Sequence, residues 1–124
     1  NMTDQKFSSL FVNQPRLIEN QKHKIISNGD PTDRLLWIEE GRIRGVRDGR
    51  IYLQDSFLEI LSFFGSNVYT SELVSITKTK IRVISRNEVM RLFELEESPI
   101  LSELFVLLAR EKLSAKEFQF SQVG

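Results

Sequence analysis

The chain has 124 residues, 40% of them apolar, enough to bury one hydrophobic core and too few for more than one domain. Its 17 Lys and Arg balance 17 Asp and Glu, so the summed field gives no general attraction to nucleic acid or to an anionic membrane. Without cysteine there is no disulfide framework, thiolate nucleophile or Cys-based metal site, and no apolar run approaches the roughly 20 residues that span a bilayer. The expectation is a soluble, cytoplasmic protein with no membrane association.

In chain order, Phe7, Leu10 and Phe11 recur at helical spacing and predict a leading helix over 3–12, ended by Asn13-Gln14-Pro15. The pairs Leu17-Ile18 and Ile25-Ile26, separated by Asn20-Gln21-Lys22, predict two short strands joined by a turn. Asn28-Gly29-Asp30-Pro31 is dense turn chemistry. Leu35 to Glu39 then reads as a buried strand. Glu40-Gly41 turns the chain into Arg42-Ile43-Arg44-Gly45-Val46, whose arginines share one face because strand side chains repeat every two residues. Asp48-Gly49 is a hairpin signal. The glycines at 29, 41 and 49 lie eight to twelve residues apart, the cadence of an all-β sandwich or barrel.

From Ser56 to Phe64 the apolar positions suit a helical turn inside the roll, ended by Gly65-Ser66-Asn67. Strands over Val68 to Ile76 and Lys80 to Ile84 complete a β-roll over 16–84. Ser85-Arg86-Asn87-Glu88 matches the capping box, with Ser85 accepting from the third helical N–H and Glu88 reaching back, and predicts a short helix over 85–95. Ser98-Pro99 starts a long helix over 98–115, apolar nearly all round its middle, before a tail over 116–124. Such a helix needs cover on two sides. The roll supplies one and a second copy the other, giving a homodimer through Leu101, Leu104, Phe105 and Leu108.

A catalytic reading has little to stand on. The single histidine, His23, cannot build a multi-histidine metal site, and no nucleophile elbow, phosphate loop or dinucleotide fingerprint is present. The expectation is no enzyme, no metal and no cofactor. Arg42, Arg44, Arg47 and Arg50 form the densest positive cluster, read either as a contact for an acidic partner or as the wet face of a strand.

The order of leading helix, roll, capped helix and long apolar helix resembles the cyclic-nucleotide-binding domain of catabolite-activator-type regulators. The resemblance covers about Leu17 to Leu113. It rests on Gly29-Asp30, Asp33, Leu36-Trp37-Ile38 and Glu40-Gly41-Arg42-Ile43-Arg44, and on Pro99, Leu101, Leu104, Leu108, Ala109, Arg110 and Leu113 in the last helix. It implies a mainly β fold, a double-stranded β-helix or jelly roll with a C-terminal dimerisation helix. It also implies a regulator that meets DNA only through a C-terminal domain outside this chain.

The resemblance departs at the phosphate-binding cassette, where the family carries Phe-Gly-Glu, about nine residues, then Arg-Ser/Thr-Ala. Here the chain reads Phe57-Leu58-Glu59, nine residues, then Tyr69-Thr70-Ser71. Glu59 matches the glutamate that the family places on the ribose, and Thr70 its hydroxyl residue. Tyr69 replaces the arginine that neutralises the cyclic phosphate, and Leu58 replaces the glycine that lets the backbone approach. An ion pair broken at one partner costs on the order of 3 to 5 kcal/mol, a few powers of ten in affinity. No Lys or Arg lies between Arg50 and Lys78, so a replacement cation must come from elsewhere in the sequence.

The resemblance thus implies a non-enzymatic sensor domain that does not take cyclic AMP or cyclic GMP in the usual way. Its pocket candidates are Phe57, Leu58, Glu59, Tyr69, Thr70 and Ser71, and any small-molecule effector is unidentified. Two alternatives stand beside it: a stand-alone dimerisation or protein-interaction module, and a true nucleotide receptor with a rearranged site.

Overall fold

Four consecutive buried residues, Leu35-Leu36-Trp37-Ile38, each at most 3% exposed, divide the molecule into two cores. They lie on β3 (Arg34–Glu40), and because strand side chains alternate, the odd and even positions face opposite ways. Leu35 and Trp37 pack with Phe57, Ile60, Phe63, Ile84 and Val89 beneath two helices. Leu36 and Ile38 pack with Ile26, Ile43, Tyr52, Leu58, Tyr69, Leu73 and Ile81 inside the roll. A strand buried on both faces reads as an unbroken apolar run, which is why this one was legible as buried.

The computed structural model describes residues 13–95 together with 106 and 110. Two four-stranded antiparallel sheets form the roll. The first has the order β1 (Arg16–Glu19), β8 (Thr79–Ser85), β3, β6 (Phe57–Leu58). The second has the order β2 (Lys24–Ile26), β7 (Leu73–Ser75), β4 (Ile43–Gly45), β5 (Ile51–Tyr52). Helix α1 (Ile60–Gly65) follows β6, and α2 (Arg86–Leu95) follows β8. The leading helix expected over 3–12 and the tail over 116–124 lie outside the described residues. So does the helix expected over 98–115 with Leu101, Leu104, Phe105 and Leu108, apart from the helical positions 106 and 110.

The two strands expected around Leu17 and Ile25 form as β1 and β2, and because β1 pairs β8 and β2 pairs β7, the turn between them carries the chain from one sheet to the other. Other expectations are corrected. The segment expected to be helical from Ser56 begins as strand, with Trp37 opposite Phe57 and Leu36 opposite Leu58, and only Ile60 onward is helix. Glu59, at φ 51°, is the left-handed residue that makes this turn. Of the strand expected over Val68 to Ile76, only Leu73–Ser75 is continuous, with Val68 joined to Pro31 by an isolated bridge. The capping box is half formed: Ser85 Oγ accepts from Glu88 N–H at 3.2 Å, while the Glu88 carboxylate turns to Arg91 instead of reaching back.

Beyond the helices, the outer face of the first sheet becomes polar and holds one carboxylate between two guanidinium groups. Arg16 donates to Glu39 at 2.8 and 3.0 Å, and Arg82 donates to the same two oxygens at 3.1 Å each. Arg82 also reaches the Gln14 carbonyl at 2.9 Å, tying the chain entry to the sheet. Partial burial works to raise the Glu39 carboxyl, but the hydrogen bonds from Arg16 and Arg82 outweigh it and hold the group below the usual carboxylate range.

At the turn after β3, Gly41 has φ +101°, and a Cβ there would stand 2.6 Å from the Lys78 carbonyl oxygen and 2.7 Å from Thr79 Cγ2. Positive φ and backbone contact both forbid a side chain. Gly41→Ala is expected to destabilise the domain by about 2 to 3 kcal/mol, read as a lower urea midpoint with an unchanged slope. A midpoint equal to that of the parent chain refutes this.

Candidate functional site

The second turn of the roll, from Gly29 to Asp33, is sewn to the segment that enters Tyr69. Tyr69 N–H donates to the Asp30 carbonyl at 2.8 Å, and Gly29 N–H donates to the Tyr69 carbonyl at 2.7 Å. Thr32 N–H reaches the Asn67 carbonyl at 3.0 Å, and Thr32 Oγ1 donates to the Ser66 carbonyl at 2.6 Å. Asp30 Oδ2 accepts from Ser27 N–H at 2.9 Å, which tightens the turn. The Gly-Asp turn and the Tyr69 segment therefore act as one structural unit.

Arg86 closes the unit from outside. At the start of α2, its guanidinium donates to the Thr32 carbonyl at 2.6 and 2.8 Å and to the Phe63 carbonyl, and lies 4.1 Å from the centroid of the Phe63 ring. Its backbone N–H donates to the Asp33 carbonyl at 2.8 Å. A cation at the C-terminal end of α1 also meets the negative end of that helix. This one side chain joins the turn, α1 and α2.

The six pocket candidates divide by position. Strand alternation sends Phe57 toward the helices and Leu58 into the roll, where Leu58 shares a cluster with Tyr69. Leu58 is 0% exposed. Thr70 is exposed and Ser71 half-buried. Glu59 is half-buried, and its Oε1 accepts the hydroxyl proton of Tyr52, a residue at the back of the same interior cluster. The Arg50 guanidinium lies over the Tyr52 ring, with its Cζ 4.5 Å from the ring centroid.

Tyr69 is 2% exposed and its hydroxyl donates to the Arg34 carbonyl at 2.7 Å. Burial pushes its phenol up to about 12, reinforced by the Glu59 and Asp33 carboxylates and opposed by Arg34 and Arg86. The cations near this position thus come from β3 and from the start of α2, outside the stretch from Arg50 to Lys78. Beside Tyr69 opens a cavity of about 320 Å³, walled by Ile26, Leu36 and Pro31 and by the polar residues Asp30, Asp33 and Arg34. Sequence reasoning missed Tyr52, Arg34 and Arg86. Tyr52 gave no clear signal, because Ile51-Tyr52-Leu53 are all apolar and the sequence does not say which of them faces inward. Arg86 gave none, because a residue at the start of a helix is ordinarily solvated.

No family model and no curated protein matches the sequence. Solved structures do resemble the chain. A transcriptional regulator from Thermotoga maritima superposes with a TM-score of 0.74 at 13% identity, over 95% of this chain and 98% of that one. The c-di-GMP-responsive global regulator of Xanthomonas campestris gives 0.71 at 20% identity, over 94% of this chain and 61% of that one. The catabolite activator protein of Thermus thermophilus gives 0.71 at 13% identity, over 96% of this chain and 59% of that one. The chain therefore spans about three fifths of the last two regulators. At these identities the likeness is one of fold, and the fold is the cyclic-nucleotide-binding-domain jelly roll.

The displaced Tyr69 phenol has a measurable consequence. Its ordinary value lies near 10 and its folded value is about 12, so the folded state holds this proton after the unfolded state has lost it. Its contribution to stability is complete below pH 10 and is lost as pH rises through 12. The chain has two tyrosines, and alkaline titration of tyrosinate absorbance is expected to show one group ionising with a midpoint of about 12. Tyr69→Phe should remove that late phase. Its persistence in the variant refutes the assignment.

Proposed function

We propose that this chain, built on the cyclic-nucleotide-binding-domain fold, is the sensor part of a non-enzymatic regulator whose nucleotide site is filled by its own side chains. The observation that carries the reading is Tyr69, buried at the cassette position of the phosphate-binding arginine with its hydroxyl committed to the Arg34 carbonyl. Two neighbours support it. Leu58 fills the place of the glycine and is fully enclosed. The Glu59 carboxylate, at the position of the ribose ligand, accepts the Tyr52 hydroxyl and has its own chain as a partner.

A cyclic phosphate entering such a site would have to displace a tyrosine from the core with no arginine from the cassette to receive it. Burial of an uncompensated charge costs far more than a hydrogen bond returns. Isothermal titration calorimetry with cyclic AMP and with cyclic GMP is expected to give no binding heat at micromolar concentrations. A micromolar dissociation constant for either nucleotide overturns the proposal.

An effector of another kind fits the cavity beside Tyr69, where Arg34 and Asp33 offer both signs of charge against an apolar wall. One structural neighbour is described as responsive to c-di-GMP, so in this fold the effector is not confined to cyclic mononucleotides. The structural neighbours described as transcription regulators favour a role in which DNA is met by another domain of the same regulator.

The homodimer belongs to the same proposal and rests on the apolar run Leu104-Phe105-Val106-Leu107-Leu108-Ala109. Val106, within it, is helical and 47% exposed in the single chain. Light scattering is expected to give twice the chain mass, and Leu104→Glu the mass of one chain. A monomeric parent protein refutes the dimer.

A further inference from the structure

The outer face of the second sheet combines features that its role as a wall of the roll does not require. Across the four strands, register aligns Ile51 on β5, Arg44 on β4, Val74 on β7 and Lys24 on β2. Arg44 points outward, since its neighbours Ile43 and Gly45 are buried. Alternation puts Arg42 and Val46 on the same side of β4, and Leu53 on the same side as Ile51. Val46, Ile51 and Leu53 are 42%, 45% and 56% exposed. Three large aliphatic side chains thus stand in water among three cations on one continuous face.

Among the described residues, Lys24 on this face meets Glu72, whereas Arg42 and Arg44 meet no carboxylate. Among the described residues, the Arg42 and Arg47 guanidinium groups have no hydrogen bond or ion pair, and Arg44 reaches only the Gly45 carbonyl at 3.4 Å. Of the nearby acids, Glu72 lies 3.8 Å from Lys24, and Asp48 Oδ1 is occupied by Arg50 N–H at 2.9 Å. In a chain whose formal net charge is zero, this is a local excess of positive charge. On the first sheet, by contrast, Arg16 and Arg82 both meet Glu39.

We infer that this face is a docking surface for an acidic protein segment that carries aliphatic side chains. Charge complementarity selects the acidic residues, and Val46, Ile51 and Leu53 select a partner with apolar surface to bury. A nucleic acid would use the arginines but leave the aliphatics wet, and among the described residues the face offers no exposed aromatic ring for a base to stack on. An anionic membrane calls for a larger basic cluster with Trp or Phe at the interface. The inference rests on the outer sheet face alone, so it stands or falls independently of the Tyr69 site.

The test uses a fluorescein-labelled synthetic peptide alternating glutamate and valine, titrated into the protein and into Arg44→Glu, with amide shifts recorded by nuclear magnetic resonance. Expected are saturable binding, shifts confined to Arg42 to Leu53 and β7, and a loss of affinity on the order of tenfold in Arg44→Glu. Ile51→Ser should also weaken binding, and added salt should weaken it further. The exposed hairpin variant Arg47→Glu provides the same readout if Arg44→Glu loses the native spectrum. The inference is overturned if the peptide does not bind, if a lysine–valine peptide binds equally, or if the shifts map elsewhere. It is overturned equally if duplex DNA or phosphatidylserine vesicles bind this face while the peptide does not.

Discussion

The backbone seam between Gly29–Asp33 and Ser66–Tyr69 is the constraint on which the rest of the molecule depends. Residues at these two stretches lie more than thirty positions apart, and neither belongs to a continuous strand along the seam. Their carbonyl and N–H groups would otherwise need water in a region that also carries buried Thr32 and Tyr69. Each net hydrogen bond contributes only about 1 kcal/mol, yet a buried group left unpaired costs more than that. The seam is therefore cooperative, and Arg86 extends it to α1 and α2 through carbonyls that the helix and turn leave open.

Division of the core by β3 explains why the candidate site has its present form. Leu36 and Leu58 are register partners facing the roll interior, while Trp37 and Phe57 face the helices. The position following β6 must turn sharply into α1, and Glu59 does so in a left-handed conformation that glycine would adopt more easily. That turn places the carboxylate within reach of the Tyr52 hydroxyl. Leu58 and Tyr69 join the interior cluster and are held there by burial. A fully buried side chain of this size stabilises by roughly 1.5 to 3 kcal/mol, whereas an unliganded buried arginine would cost stability.

Much of the fold was legible because its signals are local. Alternation in Arg42-Ile43-Arg44, the Asp48-Gly49 turn and Ser85 as a helix cap all appear where the residues alone put them. Pairing was less legible. The apolar pairs around Leu17 and Ile25 mark two strands but not their partners, which lie far along the chain in β8 and β7. At the site, the family resemblance put Tyr69 at the place of an arginine. It could not reveal what the phenol does instead, since the Arg34 carbonyl lies 35 positions away.

A ligand shifts a conformational equilibrium only by its differential affinity for two states. With the interior occupied by Tyr69 and Leu58, the interior offers little such difference. The turn from Asp30 to Arg34 offers more: it walls the cavity beside Tyr69, and its Asp33 carbonyl accepts the first N–H of α2. Arg86 adds the Thr32 carbonyl to the same junction, so the turn and the start of α2 are tied by both backbone and side chain. Thr32, Asp33 and Arg86 thus join the turn beside the cavity to the start of α2, with buried Tyr69 packed behind them.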